Sequence, residues 1–417
     1  MLRRRVVVTG MGALSPYGVG TDVLWENLIQ GKSGIRTLTC VNLDEHLVHI
    51  GGEIKDFDPA QYLDPKEIKR TDRFIQLALI AAQEAINDSK LDMTVEDESR
   101  VGTIIGSGAG GFMTTEREHN NMIAKGFYKC SPFTVPMLIV NMAAGKVSMK
   151  FGLKGPNKAV VSACSTGAHS IGDAARTIQY GDADVMLAGG TEAIMCDLGF
   201  GSFTSARTLS KHNEEPEKAS RPYDKNRDGF VMSEGAGILV LEELEHAKKR
   251  GAKIYAEIAG YGQSGDAYDM VAPDPEGKGA EIAVKNALRD ANLSTKDIQY
   301  INMHGTSTHI GDIAESKVVE RIFGNKDENK ELLVSSTKSM IGHLIGGAGS
   351  VESIICIKTI NNKIVPPTIN LDEQDEEVAN LDYVPHKARE HNVKAAMNNS
   401  FGFGGCNAVL IFKEYNE

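Results

Sequence analysis

Short apolar runs and segments of helical period alternate along the whole chain. Residues 6–9, 101–105, 159–161, 185–188 and 238–241 are brief apolar runs, several rich in β-branched residues and bounded by glycine or polar residues, and they read as strands. Between them apolar residues return every three or four positions. This predicts a helix over residues 74–87 and another through Ala168, Ile171, Ala175 and Ile178, stopped by Gly181-Asp182. Strands alternating with helices are the pattern of an α/β fold.

The pattern restarts in mid-chain. Lys248-Lys249-Arg250-Gly251 reads as a basic helix end with a glycine cap, and strand candidates resume at residues 254–259, 298–303, 332–334 and 408–412. Two halves, residues 1–251 and 252–417, are therefore expected. The second echoes the first: helix 74–87, a polar spacer and R-V-G-T-I-I-G-S-G match helix 279–291, a polar spacer and I-Q-Y-I-N-M-H-G-T. Likewise V-V-S-A-C-S and the helix to Ile178 match L-V-S-S-T-K, a glycine-rich loop and a helix to Ile360. If such halves pack face to face about a pseudo-two-fold axis, loops after equivalent strands converge, and Cys164 can meet His304 and His343.

That prospect changes how the chemistry-bearing residues read. Cys164 lies at a predicted strand-to-helix turn among Ser162, Ala163, Ser165, Thr166 and Gly167. A helix N-terminus offers unpaired N–H groups and partial positive charge, so a lowered thiol pKa and a seat for an oxyanion are expected there. An intracellular cysteine is ordinarily an inert hydrophobe; Cys196 and Cys356 fall in apolar patterns, and Cys40, Cys130 and Cys406 read as structural. His304 stands at a strand end beside Gly305, Thr306, Ser307 and Thr308, either as an imidazole for chemistry or as a cap on backbone groups. Its spacing to His309 lacks the H-E-x-x-H geometry, so no metal site is expected. His343 follows Lys338 in K-S-M-I-G-H, and Glu352 interrupts the apolar series Val351, Ile354, Ile355, Ile357 and Ile360. A carboxylate in such a helix needs a partner; Lys338 is the local one, in a working or a purely structural ion pair. In S-F-G-F-G-G-C-N, Phe403 between glycines is either a movable cover or part of a tight turn.

Composition narrows the classes. At 41% hydrophobic and 24% charged residues the chain is ordinary for a globular protein. No apolar run approaches the roughly 20 residues that span a bilayer, and the run after Arg3-Arg4-Arg5 is too short for a signal peptide, so no membrane and a cytoplasmic location are expected. The six cysteines form no C-x-x-C pair, which argues against a disulfide framework or a zinc site. A net charge of -11 argues against nucleic acid, and an acidic partner would need a local basic patch. The G-x-G-x-x-G match at residues 106–111 has no acidic residue near twenty positions on, and reads as a turn lining a pocket instead of a dinucleotide site. Asp224, Asn226, Asp228 and Gly229 open like a calcium loop, but Gly235 holds its twelfth position and a strand-like run follows.

Taken together, these segments resemble the β-ketoacyl-acyl carrier protein synthases, in particular the elongating type II enzymes. The resemblance runs from R-V-V-V-T-G-M-G through S-R-P-Y-D-K-N-R-D-G-F-V, H-G-T-S-T, S-S-T-K-S-M-I-G-H and V-P-P-T-I-N to S-F-G-F-G-G. It implies the thiolase fold, an α/β arrangement of two pseudo-duplicated halves in five layers, αβαβα, and a homodimer. It implies an acyltransferase that joins malonyl units to an acyl chain held on Cys164, with His304 and His343 as the imidazole pair and Lys338 and Glu352 in support. Phe403 matches the gating residue, whose N–H shares an oxyanion hole with that of Cys164. Thr306 and Thr308 match the residues that bind the phosphopantetheine arm. Lys66, Lys69, Arg70 and Arg207 fall where the acyl carrier protein docks, and Ala109 and Phe203 at the acyl pocket. No resident cofactor is implied, because phosphopantetheine arrives on the carrier. His309 and Ile310, after H-G-T-S-T, and Cys406 depart from the family's habit. A polyketide condensing enzyme with the same three residues is the alternative; a thiolase would need a second working cysteine, an initiating synthase an asparagine, and a chain-length partner would lack Cys164.

Overall fold

The computed structural model describes residues 3–416. Its principal strands are β1 (Val6–Ser15), β2 (Val101–Gly106), β3 (Asn157–Lys158), β4 (Val185–Glu192), β5 (Gly235–Glu243), β6 (Ala256–Gly265), β7 (Tyr300–Asn302), β8 (Leu333–Ser335), β9 (Ala395–Gly402) and β10 (Cys406–Lys413). The helices that position the site are α1 (Arg73–Ser89), α2 (Met142–Phe151), α3 (Thr166–Tyr180), α4 (Lys278–Ala291), α5 (His309–Phe323) and α6 (Ala348–Asn362).

The strands run in the order β8-β7-β9-β10-β6-β1-β5-β4-β2-β3, and this path reads alike from either end. β1 pairs antiparallel with β5, β5 with β4, and then β4, β2 and β3 run parallel. In the other half β6, β10 and β9 pair antiparallel, and β9, β7 and β8 run parallel. Only Val7 and Val8 of β1 meet Glu257 and Ala256 of β6, so the two five-strand sets are joined at a narrow seam.

Side-chain alternation along the strands sorts the layers. Leu239 and Leu241 of β5, with Leu410 and Phe412 of β10, face a central core that holds α3 and α6. Their neighbours Ile238 and Val240 face an outer layer with α1 and α2, while Val409 and Ile411 face one with α4 and α5. The result is helix, sheet, helix, sheet, helix. The two central helices touch through small residues: a Cβ on Gly167 would sit 2.7 Å from Ser350 N, and one on Gly349 2.8 Å from Ala168 N. No helix among the described residues is long and apolar enough to cross a membrane.

Two expectations need correction. Residues 159–161 are not a strand. The ladder to β2 ends at Lys158, on an edge with a single neighbour, and Val161 is 56% exposed. β9 has no counterpart among the expected strands, because buried Asn398, Asn399 and Ser400 interrupt its apolar pattern.

Candidate active site

Cys164 sits in a three-residue 3-10 turn, Ala163–Ser165, that runs directly into α3. The turn is forced into an uncommon shape, with Ala163 at φ 50°. The backbone N–H of Phe403 and that of Cys164 itself are directed at the thiol. The expected drop in thiol pKa does not occur. Burial pushes it up to about 12, against the opposing pull of Lys338 and these N–H groups, with Glu192 adding to the rise. A desolvated thiolate loses more than a helix end returns, so the resting group is a thiol.

His343 is anchored by its backbone, donating to the Val231 carbonyl at 2.7 Å and accepting from Ser233 N–H at 3.0 Å. The N–H of Ile345 donates to its Nδ1 at 3.3 Å. The proton of a neutral ring therefore resides on Nε2, which is buried and has no partner. His304 follows β7, and its ring meets that of His343 edge-on, centroids 5.4 Å apart. Its Nδ1 is likewise unpartnered. Both imidazoles are held well below the ordinary pKa of 6.5, first by burial and then by the Lys338 ammonium, with His343 adding to the effect on His304. Two neutral rings thus face one space.

Lys338 and Glu352 form a fully buried ion pair beneath the histidines, each side chain 1% exposed. Burial, opposed by Lys338, raises the Glu352 pKa to about 7. The remaining oxygen of Glu352 has no partner, nor do Oδ1 of Asn302 and Asn398, which stand opposite one another on β7 and β9.

Three carboxylates that the sequence does not single out organise the loops around these groups. Glu315 on α5 accepts the N–H of His304 and of Gly305, both at 2.7 Å, and the amide of Asn399 at 3.0 Å. Glu192 accepts from Ser107 Oγ and Gly108 N at 2.7 Å, Ala109 N at 3.3 Å and Gly346 N at 3.0 Å, tying the 106–111 turn to the second half. Asp312 accepts from Ser307 N and Tyr223 N. Beside it the buried Arg227 donates to the Thr308 and His309 carbonyls and to Asp375. The stretch that opens like a calcium loop is thus a brace for H-G-T-S-T, and Asp224 is taken up by Arg221 and backbone N–H groups. An acidic residue close to a loop is the one available hint in the sequence, and it is too common to single these out.

A cavity of about 570 Å³ gathers the predicted groups. Cys164, His304 and His343 line it with Phe403, and Thr306, Thr308 and Arg207 stand on its wall. Thr306 and Thr308 hydroxyls are 3.0 Å apart. Ala109 and Phe203 line it too, Phe203 meeting Phe403 at a ring distance of 6.5 Å. Lys66, Lys69 and Arg70 are exposed on and just after the short helix Pro65–Lys69 and do not reach the cavity. Lys146 and Lys150 approach the same helix through Glu67. Of the departures, His309 opens α5 on the cavity wall, and the Cys406 carbonyl accepts the Ser165 hydroxyl at 2.6 Å.

Two family models match, the β-ketoacyl synthase N-terminal domain over residues 3–247 and its C-terminal domain over residues 255–372. The 3-oxoacyl-[acyl-carrier-protein] synthase 2 of Vibrio harveyi is 51% identical over all of both chains. Its namesake in Coxiella burnetii is 50% identical over 99% of each. Among solved structures, a β-ketoacyl synthase from Burkholderia phymatum matches with TM-score 0.91 at 33% identity, covering 99% of this chain and all of that one. A type II polyketide synthase acyl-carrier protein in complex with its ketosynthase matches with TM-score 0.91 at 32% identity over the same shares.

Proposed function

The chain belongs to the β-ketoacyl synthase family, and we propose that Cys164, His304 and His343 carry its chemistry in one cavity. It is an elongating β-ketoacyl-acyl carrier protein synthase of fatty-acid synthesis, an acyltransferase, as are the relatives about half identical to it over the full chain. The similarity to polyketide ketosynthases is weaker, at 32% identity.

In the first half-reaction the Cys164 sulfur attacks an acyl thioester on the carrier. The carbonyl oxygen, as it gains charge, is received by the N–H groups of Cys164 and Phe403. The carrier's thiol leaves with the proton of Cys164, and the acyl group stays on sulfur. In the second, malonyl carrier loses carbon dioxide, and the enolate oxygen accepts hydrogen bonds from His343 Nε2–H and from His304. Two neutral donors suit this task, since a protonated ring would be a charged acid beside a carbanion. Lys338, which lies outside the cavity wall, serves by adding to burial in lowering the pKa of both rings. The carbanion then attacks acyl-Cys164, giving a β-ketoacyl chain two carbons longer and releasing the thiolate, which takes up a proton from water. Glu352 holds Lys338 in place.

Phe403, between two glycines, acts as the gate against Phe203, and Ala109 bounds the acyl chain. Thr306 and Thr308 hold the phosphopantetheine arm, which is supplied by the carrier, so no resident cofactor is required. The basic surface of Lys66, Lys69 and Arg70, with Arg207, receives the acidic carrier in the cytoplasm. The enzyme works as a homodimer; the edge strand β3, with exposed apolar Val161 three residues beyond it, offers the contact.

The observation that carries the mechanism is the unpartnered Nε2–H of His343 in the cavity of Cys164. Intact mass after incubation with acyl carrier protein tests it. Wild type should gain an acyl group that malonyl carrier protein discharges as a longer β-keto product, Cys164→Ala should gain none, and His343→Ala should acylate but fail to condense. Unimpaired elongation by His343→Ala would remove His343 from the reaction.

A further inference from the structure

Nothing in this mechanism uses His169, a buried imidazole on the first turns of α3. Its Nδ1 lies 2.7 Å from the hydroxyl of Ser162, two residues before the nucleophile. Its ring is turned to the backbone carbonyls of Ser165 and Asn407 and sits edge-on to Tyr261. These contacts span both sources of the oxyanion donors. Ser162 and Ser165 flank Cys164, while Asn407 belongs to β10, one residue beyond the Phe403–Gly405 turn and Cys406.

The turn between them is strained and tightly enclosed. Ala163, at φ 50°, adopts the left-handed region that a Cβ disfavours, and such a residue persists only where its surroundings over-determine it. Ser162 N–H donates to Thr166 Oγ1 at 2.9 Å, and the Ser165 hydroxyl donates to the carbonyls of Ser400 and Cys406. Gly402 approaches so closely that a Cβ would sit 2.6 Å from the Ser162 carbonyl oxygen. The nucleophile's turn and the Phe403 hairpin are therefore tied together by the Ser165 hydroxyl and the close approach of Gly402, and His169 on α3 holds Ser162 at the start of that junction.

We infer that His169 is a positioning residue that bridges Ser162 to β10, braces the strained Ala163-Cys164 turn, and so sets the spacing of the Cys164 and Phe403 N–H groups. The inference rests on the oxyanion role given to those groups above. A small error in that spacing falls on the transition state more heavily than on binding, because the donors must meet an oxygen that moves as it gains charge.

Single-turnover acylation of the full-length protein by acyl carrier protein tests this, with His169→Ala, Ser162→Ala and the double variant. Each single change should slow acylation about tenfold at saturating carrier, leaving the half-saturating carrier concentration unchanged. The double variant should be no slower than the slower single, since both remove one bridge. His169→Gln, which keeps a donor and an acceptor, should recover most of the rate. Wild-type acylation by His169→Ala, or slowing in the double variant equal to the product of the singles, would overturn the inference. If His169→Ala does not fold, Ser162→Ala and His169→Gln carry the comparison, and wild-type acylation by Ser162→Ala overturns it equally. A wild-type enzyme that never acylates Cys164 would instead defeat the parent mechanism.

Discussion

The turn that carries Cys164 has a twin in the other half. Ala163–Ser165 is a 3-10 turn leading into a fifteen-residue helix, and Ile345–Gly347 is another leading into a helix of the same length. Each opens on a non-glycine residue in the left-handed region, Ala163 at φ 50° and Ile345 at φ 47°. Position by position, the counterpart of Cys164 is Gly346. In one turn the N–H of Cys164 is directed at its own thiol, whereas in the other the Gly346 N–H is already taken, donating to the protein's own Glu192. A duplicated backbone thus yields one reactive end and one sealed end. The sealed half contributes the long insertion before its turn, with Lys338 and His343.

Making the turns alike is the severest test. Cys164→Gly should abolish acyl-enzyme formation altogether, read by intact mass. The reverse exchange, Gly346→Cys, meets backbone, since a Cβ there would sit 2.4 Å from Gly108 N. A loss of about 3 kcal/mol or more by denaturant titration is expected from such overpacking, and a variant of unchanged stability would refute the sealed reading. Next comes the pair beneath the histidines. Glu352→Gln leaves the Lys338 ammonium buried without its counter-charge, and stability should fall by about 3–5 kcal/mol in the same titration.

A third measurement sharpens the contrast between a helix end that is open and a thiol that is nonetheless un-ionised. With the Cys164 pKa pushed up to about 12, iodoacetamide labelling of the free enzyme should keep rising beyond roughly pH 10. A plateau near pH 8 would show that the helix end wins over burial.

The smallest effects separate histidines by environment. His304 and His343 have folded pKa values below 6.5, so the unfolded chain takes up their protons first. Their contribution is present above about pH 6.5 and is lost as pH falls toward the folded values. His246 is the opposite case. Glu242 at 2.6 Å from its Nδ1 raises its pKa, so its contribution is complete below about pH 6.5 and lost as pH rises through the folded value. His246→Gln should therefore lower the thermal midpoint more at pH 6 than at pH 9; an equal loss at both would assign the contact to packing alone.

Much of the site is legible in the sequence. Cys164, His304, His343, Phe403 and the threonines stand out by their motifs, and the structure brings them to one cavity. The echo between halves is legible too, but it aligns Cys164 with the S-S-T-K segment, and the structure moves its counterpart to Gly346. The reason is the insertion: sequence matching follows the strand before the loop, while the equivalent turn comes well downstream of it. β9 is hidden because its buried polar residues serve the site and break the apolar pattern. Glu192, Glu315 and Asp312 escape notice because a carboxylate that binds backbone N–H groups leaves no spacing rule.

The sequence by itself determined the alternation of strands and helices, the doubling of the fold and which side chains to look for in the cavity, since each is written in local periodicity or in a motif. Only the tertiary structure decided the ionisation of those side chains and the partnership of their loops. Burial raised the pKa of the Cys164 thiol against the pull of its helix end and lowered that of both histidines well below 6.5. Desolvation depends on everything packed around a group, and that environment is assembled from residues far apart along the chain.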